Sequence, residues 1–312
     1  MSENEFAVVT DHLTKRFGRK AALDGVSLRI PTGSVFGLMG PNGVGKTTFV
    51  RCLLNLLTPT SGTIRALGFD AVRDSVQVRL RTGHVAALQS LWEWMTVQEF
   101  VDFVGSCYPH WSPTSVSAFL QRVAIDPTQK IGTLSRGQRT LAALGAAIGH
   151  EPELLVLDEA LTGLDPISRR EVLQSIIDVM HLEGRTVIIT GQDIGDLERI
   201  CDHIGFLIKG KLFYQGPLDQ LKAQVKRIMV QHPSGPPPLI PPDALRVSRS
   251  ERETQFTVSN YRPQLLDDLA GPDRFVQALE MSLEDIFIDL VKPQLGQGEA
   301  LPALHQEAQV PA

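Results

Sequence analysis

Gly40-Pro41-Asn42-Gly43-Val44-Gly45-Lys46-Thr47 fills every fixed position of the pattern GxxxxGK[ST]. The pattern has a physical reason. Glycines let the backbone curl until successive N–H groups face one anion, and the N-terminus of the following helix adds its positive end. Lys46 can then reach the β- and γ-phosphates of a nucleotide, and the Thr47 hydroxyl can hold Mg²⁺. A chance glycine-rich turn would lack the right flanks. Here Ser34–Met39 (SVFGLM) reads as a buried strand, and Thr47–Leu57 as a helix that is apolar on most of its faces.

The same alternation continues outward. Leu154–Leu157 (LLVL) is a continuous apolar run, as in a strand covered on both faces, and Asp158 and Glu159 close it. Neighbouring strand residues point opposite ways, so the two carboxylates can serve different tasks, one at a metal and one at a water. Arg169–Glu183 carries apolar residues at helical spacing and Gly184 marks its end, after which Val187–Ile189 is the next strand. Lys209-Gly210 reads as a hairpin turn between Ile204–Ile208 and Leu212–Tyr214. Strands alternating with helices predict an α/β fold with a parallel-sheet core. Between them, about 88–149 has little strand signal. Thr96-Val97-Gln98-Glu99 is a capping box and Ser135 a second N-cap, so this stretch reads as a helical insertion.

Beyond about 221 the composition changes. Six prolines within Pro233–Pro242 read as a stiff linker or loop, and strand-like pieces flank it at Arg227–Gln231, Leu245–Ser248 and Thr254–Val258. Ser282 caps a helix with the apolar stripe Leu283, Ile286, Phe287, Leu290 and Val291. This predicts a small α+β domain over 221–292. Its acidic Glu284, Asp285 and Asp289 argue against a membrane anchor. Residues 293–312 have no periodicity and read as a disordered tail.

Composition narrows the functional classes. Thirty Lys+Arg against 35 Asp+Glu give a formal charge of −5, which offers no general reason to bind nucleic acid. No apolar run approaches the roughly 20 residues needed to cross a bilayer, and the N-terminus has no signal-peptide pattern. Cys52, Cys107 and Cys201 show no pairing or metal spacing, which fits a reducing, cytoplasmic setting. Cys201-Asp202-His203 is a superficial metal-like cluster at what reads as a helix end.

Leu134-Ser135-Arg136-Gly137-Gln138 then chooses among nucleotide hydrolases. It resembles the LSGGQ signature of ABC ATPases and stands shortly before LLVLDE, as in that family. LTKRFG, ALDGVSL, TPTSG, LTGLDP and CDHIGFLIKGKLFYQG are similar to the family at the expected positions over about 6–216. LWEWMTV and SLEDIF look most like ATPase subunits of exporters whose membrane subunit is a separate chain. The resemblance implies a P-loop ATPase of ABC type over 1–220, with a parallel-sheet core, an antiparallel β subdomain and a helical subdomain.

It also implies roles, residue by residue. Phe17 would stack on adenine. Asn42, Gly43, Gly45, Lys46, Thr47 and Thr48 would cradle ATP. Thr47 and Asp158 would hold Mg²⁺, and Glu159 would act as general base. Ser135, Gly137 and Gln138 would face the nucleotide of a second subunit, and Asp165 would couple the two sites. The implied partners are a transmembrane permease and a second copy of this chain, with the ATPase peripheral on the inner face of the membrane. Trp92, Trp94, Tyr108 and Trp111 are either core of the insertion or part of a docking surface.

Four positions depart from the family. Ala87 stands where Gln or Glu faces the metal and the water, with Gln89 two residues on. Gln192 replaces a histidine that contacts the γ-phosphate. Arg136 and Ala160 are milder changes. An amide at 192 can donate a hydrogen bond but carries no charge, so the expectation is slow hydrolysis. These departures keep open an alternative, a soluble ABC-type regulator with a cytoplasmic partner.

Overall fold

The computed structural model describes residues 5–86, 91–181, 184–191, 193–233 and 235–296. Two compact units divide the chain, Met1–Gln215 and Gly216–Ala312.

The first unit opens with β1 (Phe6–Phe17), β2 (Lys20–Val26), β3 (Arg29–Pro31), β4 (Val35–Met39), α1 (Lys46–Leu53), β5 (Ser61–Ala66) and β6 (Phe69–Asp70). It continues through α2 (Ser75–Leu80), β7 (Thr82–Ala86), α3 (Val97–Gly105), α4 (Pro113–Arg122), α5 (Arg136–Ile148), β8 (Leu154–Asp158) and α6 (Pro166–His181). Then come β9 (Thr186–Gly191), α7 (Ile194–Glu198), β10 (His203–Ile208) and β11 (Lys211–Pro217). Two sheets result. An antiparallel sheet runs β2-β1-β5-β6, with β3 also on β1. A second sheet has the order β11-β10-β4-β9-β8-β7, and its pairs from β10 to β7 are parallel.

The reason lies in the side chains. β4 and β8 are buried at every residue, so neither face tolerates a polar side chain until the strand ends. Phe36, Phe49, Val50, Leu154, Val156 and Ile188 share one core with Val8, Ile30 and Ile64 of the antiparallel sheet. Each such side chain contributes roughly 1.5–3 kcal/mol by leaving water. That core fixes β4, α1 and β8 relative to one another, which is what the site needs.

α1 ends at Leu53, short of the expected Leu57. Asn55 takes a left-handed φ of 51°, which an Asn side chain tolerates and which stops the helix. α6 starts before the expected Arg169. Pro166 occupies its first turn and Asp165 Oδ1 accepts from the Ile167 and Ser168 amides. The Lys209-Gly210 turn between β10 and β11 has positive φ at both residues, 48° and 79°, the backbone of a two-residue hairpin loop. Capping boxes open α3 (Thr96 with Glu99) and α5 (Ser135 with Gln138).

The second unit holds α8 (Leu218–Gln224), β12 (Lys226–Gln231), β13 (Leu245–Arg249), β14 (Glu253–Val258), α9 (Gln264–Leu269), β15 (Phe275–Leu279) and α10 (Leu283–Gly296). Its antiparallel sheet has the order β13-β14-β12-β15. The period of two places Ile228, Val230, Phe256 and Val258 in one apolar cluster with Leu269. Arg227 and Thr257, opposite each other in the register, instead meet Asp289 of α10. Asp289 is therefore buried and paired, not one of the surface charges that its sequence suggests. The proline-rich segment joins β12 to β13 inside this unit. α10 runs through Pro293 to Gly296, where the sequence suggests a tail; 297–312 lie outside the described residues. Among the described residues no helix is long and apolar enough to cross a membrane.

Candidate nucleotide site

The site begins where β4 runs out of apolar residues. A Cβ at Gly40 would stand 2.3 Å from the Leu207 carbonyl oxygen, and one at Gly45 would stand 2.3 Å from that of Ala22. With φ of 155° and 114° respectively, both positions are reserved for glycine. The loop between them curls over Lys46, the buried first residue of α1. Lys46 Nζ donates to the Gly40 and Pro41 carbonyls at 2.8 and 3.2 Å and lies 3.3 Å from Glu159 Oε1. Asn42 and Gly43 stay exposed at the crest, and Thr48 is half-buried.

The end of β8 supplies the acids. Thr47 Oγ1 donates to Asp158 Oδ1 at 3.2 Å, and Thr190 Oγ1 donates to the same oxygen at 2.6 Å. Glu159 has left the strand with a left-handed φ of 52°. This turn, and not strand alternation, separates the two carboxylates: Asp158 goes to Thr47, while Glu159 goes to Lys46. The Glu159 amide donates to Thr190, whose own register partner is Asp158. Thr190 is a site residue that sequence reading missed, because its partner Asp158 lies 32 residues away in the chain, on the preceding strand.

Thr47 and Asp158 fit a hard cation, since both present oxygen beside the loop. No group of three or more His, Cys, Asp or Glu side chains stands ready for a metal among the described residues. A cation here would complete its shell with phosphate and water, as Mg²⁺ does.

Other expected residues lie further out. Phe17, at the hairpin end of β1 opposite Lys20, is 51% exposed with the Lys15 ammonium 5.4 Å from its ring centre. Ser135 Oγ accepts from the Gln138 amide, and Gln138 Oε1 accepts from that of Ser135. Gly137 packs against Ser168, where a Cβ would come within 2.5 Å of the serine Cβ. No described contact joins these signature residues to Lys46 or Thr47. The Ser168 hydroxyl and amide hold the Asp165 carboxyl below its ordinary range. Arg136 lies over Gly163 of LTGLDP, and Ala160 is buried. Ala87, Gln89 and Gln192 lie outside the described residues.

The aromatic residues of the insertion divide. Trp111 packs on Gly105 and Gly149, and Tyr108 stacks on His150 at 3.9 Å between ring centres. Trp92 and Trp94 are 43% and 66% exposed, and Trp92 meets the exposed Phe103 edge-on at 4.9 Å.

A glycine loop closing over a helix-borne lysine, with strand-end carboxylates beside it, defines a P-loop nucleotide-binding site. A family profile described as ABC transporter matches residues 23–162. Daunorubicin resistance ATP-binding protein DrrA3 of Streptomyces coeruleorubidus is 37% identical over 224 residues, 70% of each chain. Nod factor export ATP-binding protein I of Rhizobium meliloti is 31% identical over 297 residues, 91% of this chain and 87% of its own. Among solved structures, cbiO1 from Clostridium perfringens, described as part of the ABC transporter complex cbiONQ, superposes with a TM-score of 0.63. Its identity is 25%, over 70% of this chain and 92% of that one. The chain belongs to the ABC transporter ATP-binding family and is a nucleotide-binding ATPase.

Proposed function

We propose that this ATPase drives a separate transmembrane permease that exports its substrate, and that two copies of the chain close on two ATP molecules with Mg²⁺. The observation that carries the chemistry is the convergence of Lys46, Thr47, Asp158 and Glu159 on one loop. Backbone N–H groups of 43–47 and the start of α1 hold phosphate oxygens, and the Lys46 ammonium neutralises them. Thr47 and Asp158 hold the cation, which when bound offsets charge on the transferring phosphoryl group. Glu159 orients a water and takes its proton. Phe17 stacks on the base. Ser135, Gly137 and Gln138 of the second copy approach the terminal phosphate. Gln192 donates to that phosphate, and with Ala87 where an acid or amide is usual, turnover is slow.

Export rests on the relatives' printed roles in daunorubicin resistance and Nod factor export. The exposed Trp92, Trp94 and Phe103 are the proposed docking surface for the permease, with the protein peripheral on the inner face of the membrane. The test uses tagged Glu159→Gln chain expressed in its own host and recovered from detergent-solubilised membranes with ATP and Mg²⁺. A stoichiometric multi-span protein that is lost on Lys46→Ala, or on altering Trp92 and Trp94, establishes the reading. Recovery with a cytoplasmic partner alone overturns it in favour of a soluble regulator.

A further inference from the structure

The start of α5 rests on the start of α6. Gly137, in the first turn of α5, packs so closely on Ser168 that a Cβ there would stand 2.5 Å from the serine Cβ and 2.7 Å from its Oγ. Its backbone does not call for glycine, because Gly137 is not among the residues with positive φ. A helix by itself favours alanine over glycine. The neighbour across the contact, and not the backbone angle, therefore excludes a side chain at 137.

Ser168 also holds the loop before it. Its amide donates to Asp165 Oδ1 at 3.1 Å, and its hydroxyl bonds the same carboxyl. One side chain thus serves two tasks. Its Cβ and Oγ set how near α5 approaches, while its hydroxyl and amide fix Asp165. A second contact joins the same two segments. Arg136, one residue before Gly137, lies across Gly163 of LTGLDP, where a Cβ would come within 2.4 Å of Arg136 Nη1.

We propose that the start of α5 and the LTGLDP loop form one block in each copy, and that Ser168 is the positioning residue that sets Ser135 and Gly137 against Asp165. This rests on the reading that two copies close on ATP with Ser135 and Gly137 facing the nucleotide of the second copy. The block delivers both segments to that copy together. An error at the Gly137–Ser168 contact then misplaces the Ser135 hydroxyl as well as Asp165, and misplacement by about 1 Å is costly where a contact must meet a phosphate.

The test measures dimerisation of the full chain with ATP and Mg²⁺ by sedimentation, in a Glu159→Gln background that slows turnover. Binding of a fluorescent ATP analogue to the single chain reports separately on the Lys46 loop. Gly137→Ala is expected to weaken dimerisation roughly 10- to 100-fold, the cost of an overpacked contact, while analogue binding stays within about twofold. Adding Ser168→Gly removes the clashing atoms and leaves only the Cα of residue 168 at 3.5 Å, an ordinary contact. That double variant should return to the level of Ser168→Gly alone. Adding Ser168→Ala instead keeps the Cβ and should recover nothing. Ser168→Ala alone adds no bulk and should weaken dimerisation about 2- to 10-fold through the lost hydroxyl bond to Asp165; it decides the matter if Gly137→Ala folds poorly. Recovery by Ser168→Gly and not by Ser168→Ala establishes the block. Failure of both double variants shows that Gly137 answers to phosphate alone and overturns the proposal, as does dimerisation unchanged by Gly137→Ala or by Ser168→Ala. A Glu159→Gln chain that stays monomeric with ATP and Mg²⁺ overturns the two-copy reading, and the proposal with it.

Discussion

Lys46 and Glu159 stand 3.3 Å apart, so one buried ammonium ties the phosphate loop to the carboxylate just past β8. Glu159→Gln keeps the shape and removes the negative partner. It is expected to lower kcat roughly 10²- to 10⁴-fold while nucleotide affinity is kept or rises, because the ammonium then answers to phosphate alone. Phosphate release and titration with a fluorescent ATP analogue read the two quantities separately. A parallel loss of affinity would show that Glu159 serves binding.

Thr190 provides a second expectation. Its hydroxyl donates to Asp158 and lies against the Glu159 amide, in a place with almost no solvent. Thr190→Val preserves volume and leaves Asp158 one donor short. Loss of a hydrogen bond to a charged group costs about 1.5–3 kcal/mol, and kcat should fall as Asp158 loosens. Thermal melts with and without Mg²⁺ and ATP check this; an unchanged melt and rate would remove Thr190 from the site.

The loop glycines give a steric expectation. Gly45→Ala would press a methyl group into the Ala22 carbonyl at a backbone angle that alanine avoids. Nucleotide binding should be lost even where circular dichroism shows a folded chain. Gly43, with nothing within 4 Å of its Cβ position, should accept alanine with a smaller loss, limited to the strain of its φ of 76°.

In the second unit, Asp289 receives Thr257 Oγ1 at 2.6 Å, Arg246 Nη1 at 2.7 Å and Arg227 Nη2 at 3.1 Å. Burial alone would raise its pKa, but these donors outweigh burial and hold it below the ordinary carboxylate range. A depressed folded pKa means stability that is present above the unfolded value, about 3.9, and lost as pH falls through the folded one. Hydrogen exchange at the β12 and β14 amides should therefore be flat from neutrality to about pH 5, once corrected for intrinsic rates, with protection falling below pH 4. Asp289→Asn should cost about 2–3 kcal/mol at neutral pH and abolish that acid dependence.

Much of the site was legible because its signals are local. The phosphate loop, the Thr96 and Ser135 caps and the Lys209-Gly210 turn each occupy a few consecutive residues with their own chemistry. Features made by distant partners were not. Thr190 looks like any strand threonine until β8 and β9 pair and bring it to Asp158. The Asp289 cluster gathers residues from β12, β13 and β14, so sequence alone reads it as a surface charge. The antiparallel sheet of β1, β2 and β5 was visible only through family resemblance, since its bulged strands blur the period of two. Asp165-Pro166 is a local helix start, but it stands ahead of the apolar spacing that begins at Arg169, and spacing alone does not show it.

The left-handed backbone at Glu159 has an evolutionary consequence. A side chain with a Cβ costs roughly 1 kcal/mol there, and only the need for a carboxylate at that spot maintains it. Glycine or asparagine would suit the conformation better. In a duplicated gene released from the demand for turnover, position 159 is therefore where drift should meet least resistance. A descendant would become catalytically silent in a single step, trading the relieved backbone strain against a buried Lys46 ammonium left without its carboxylate.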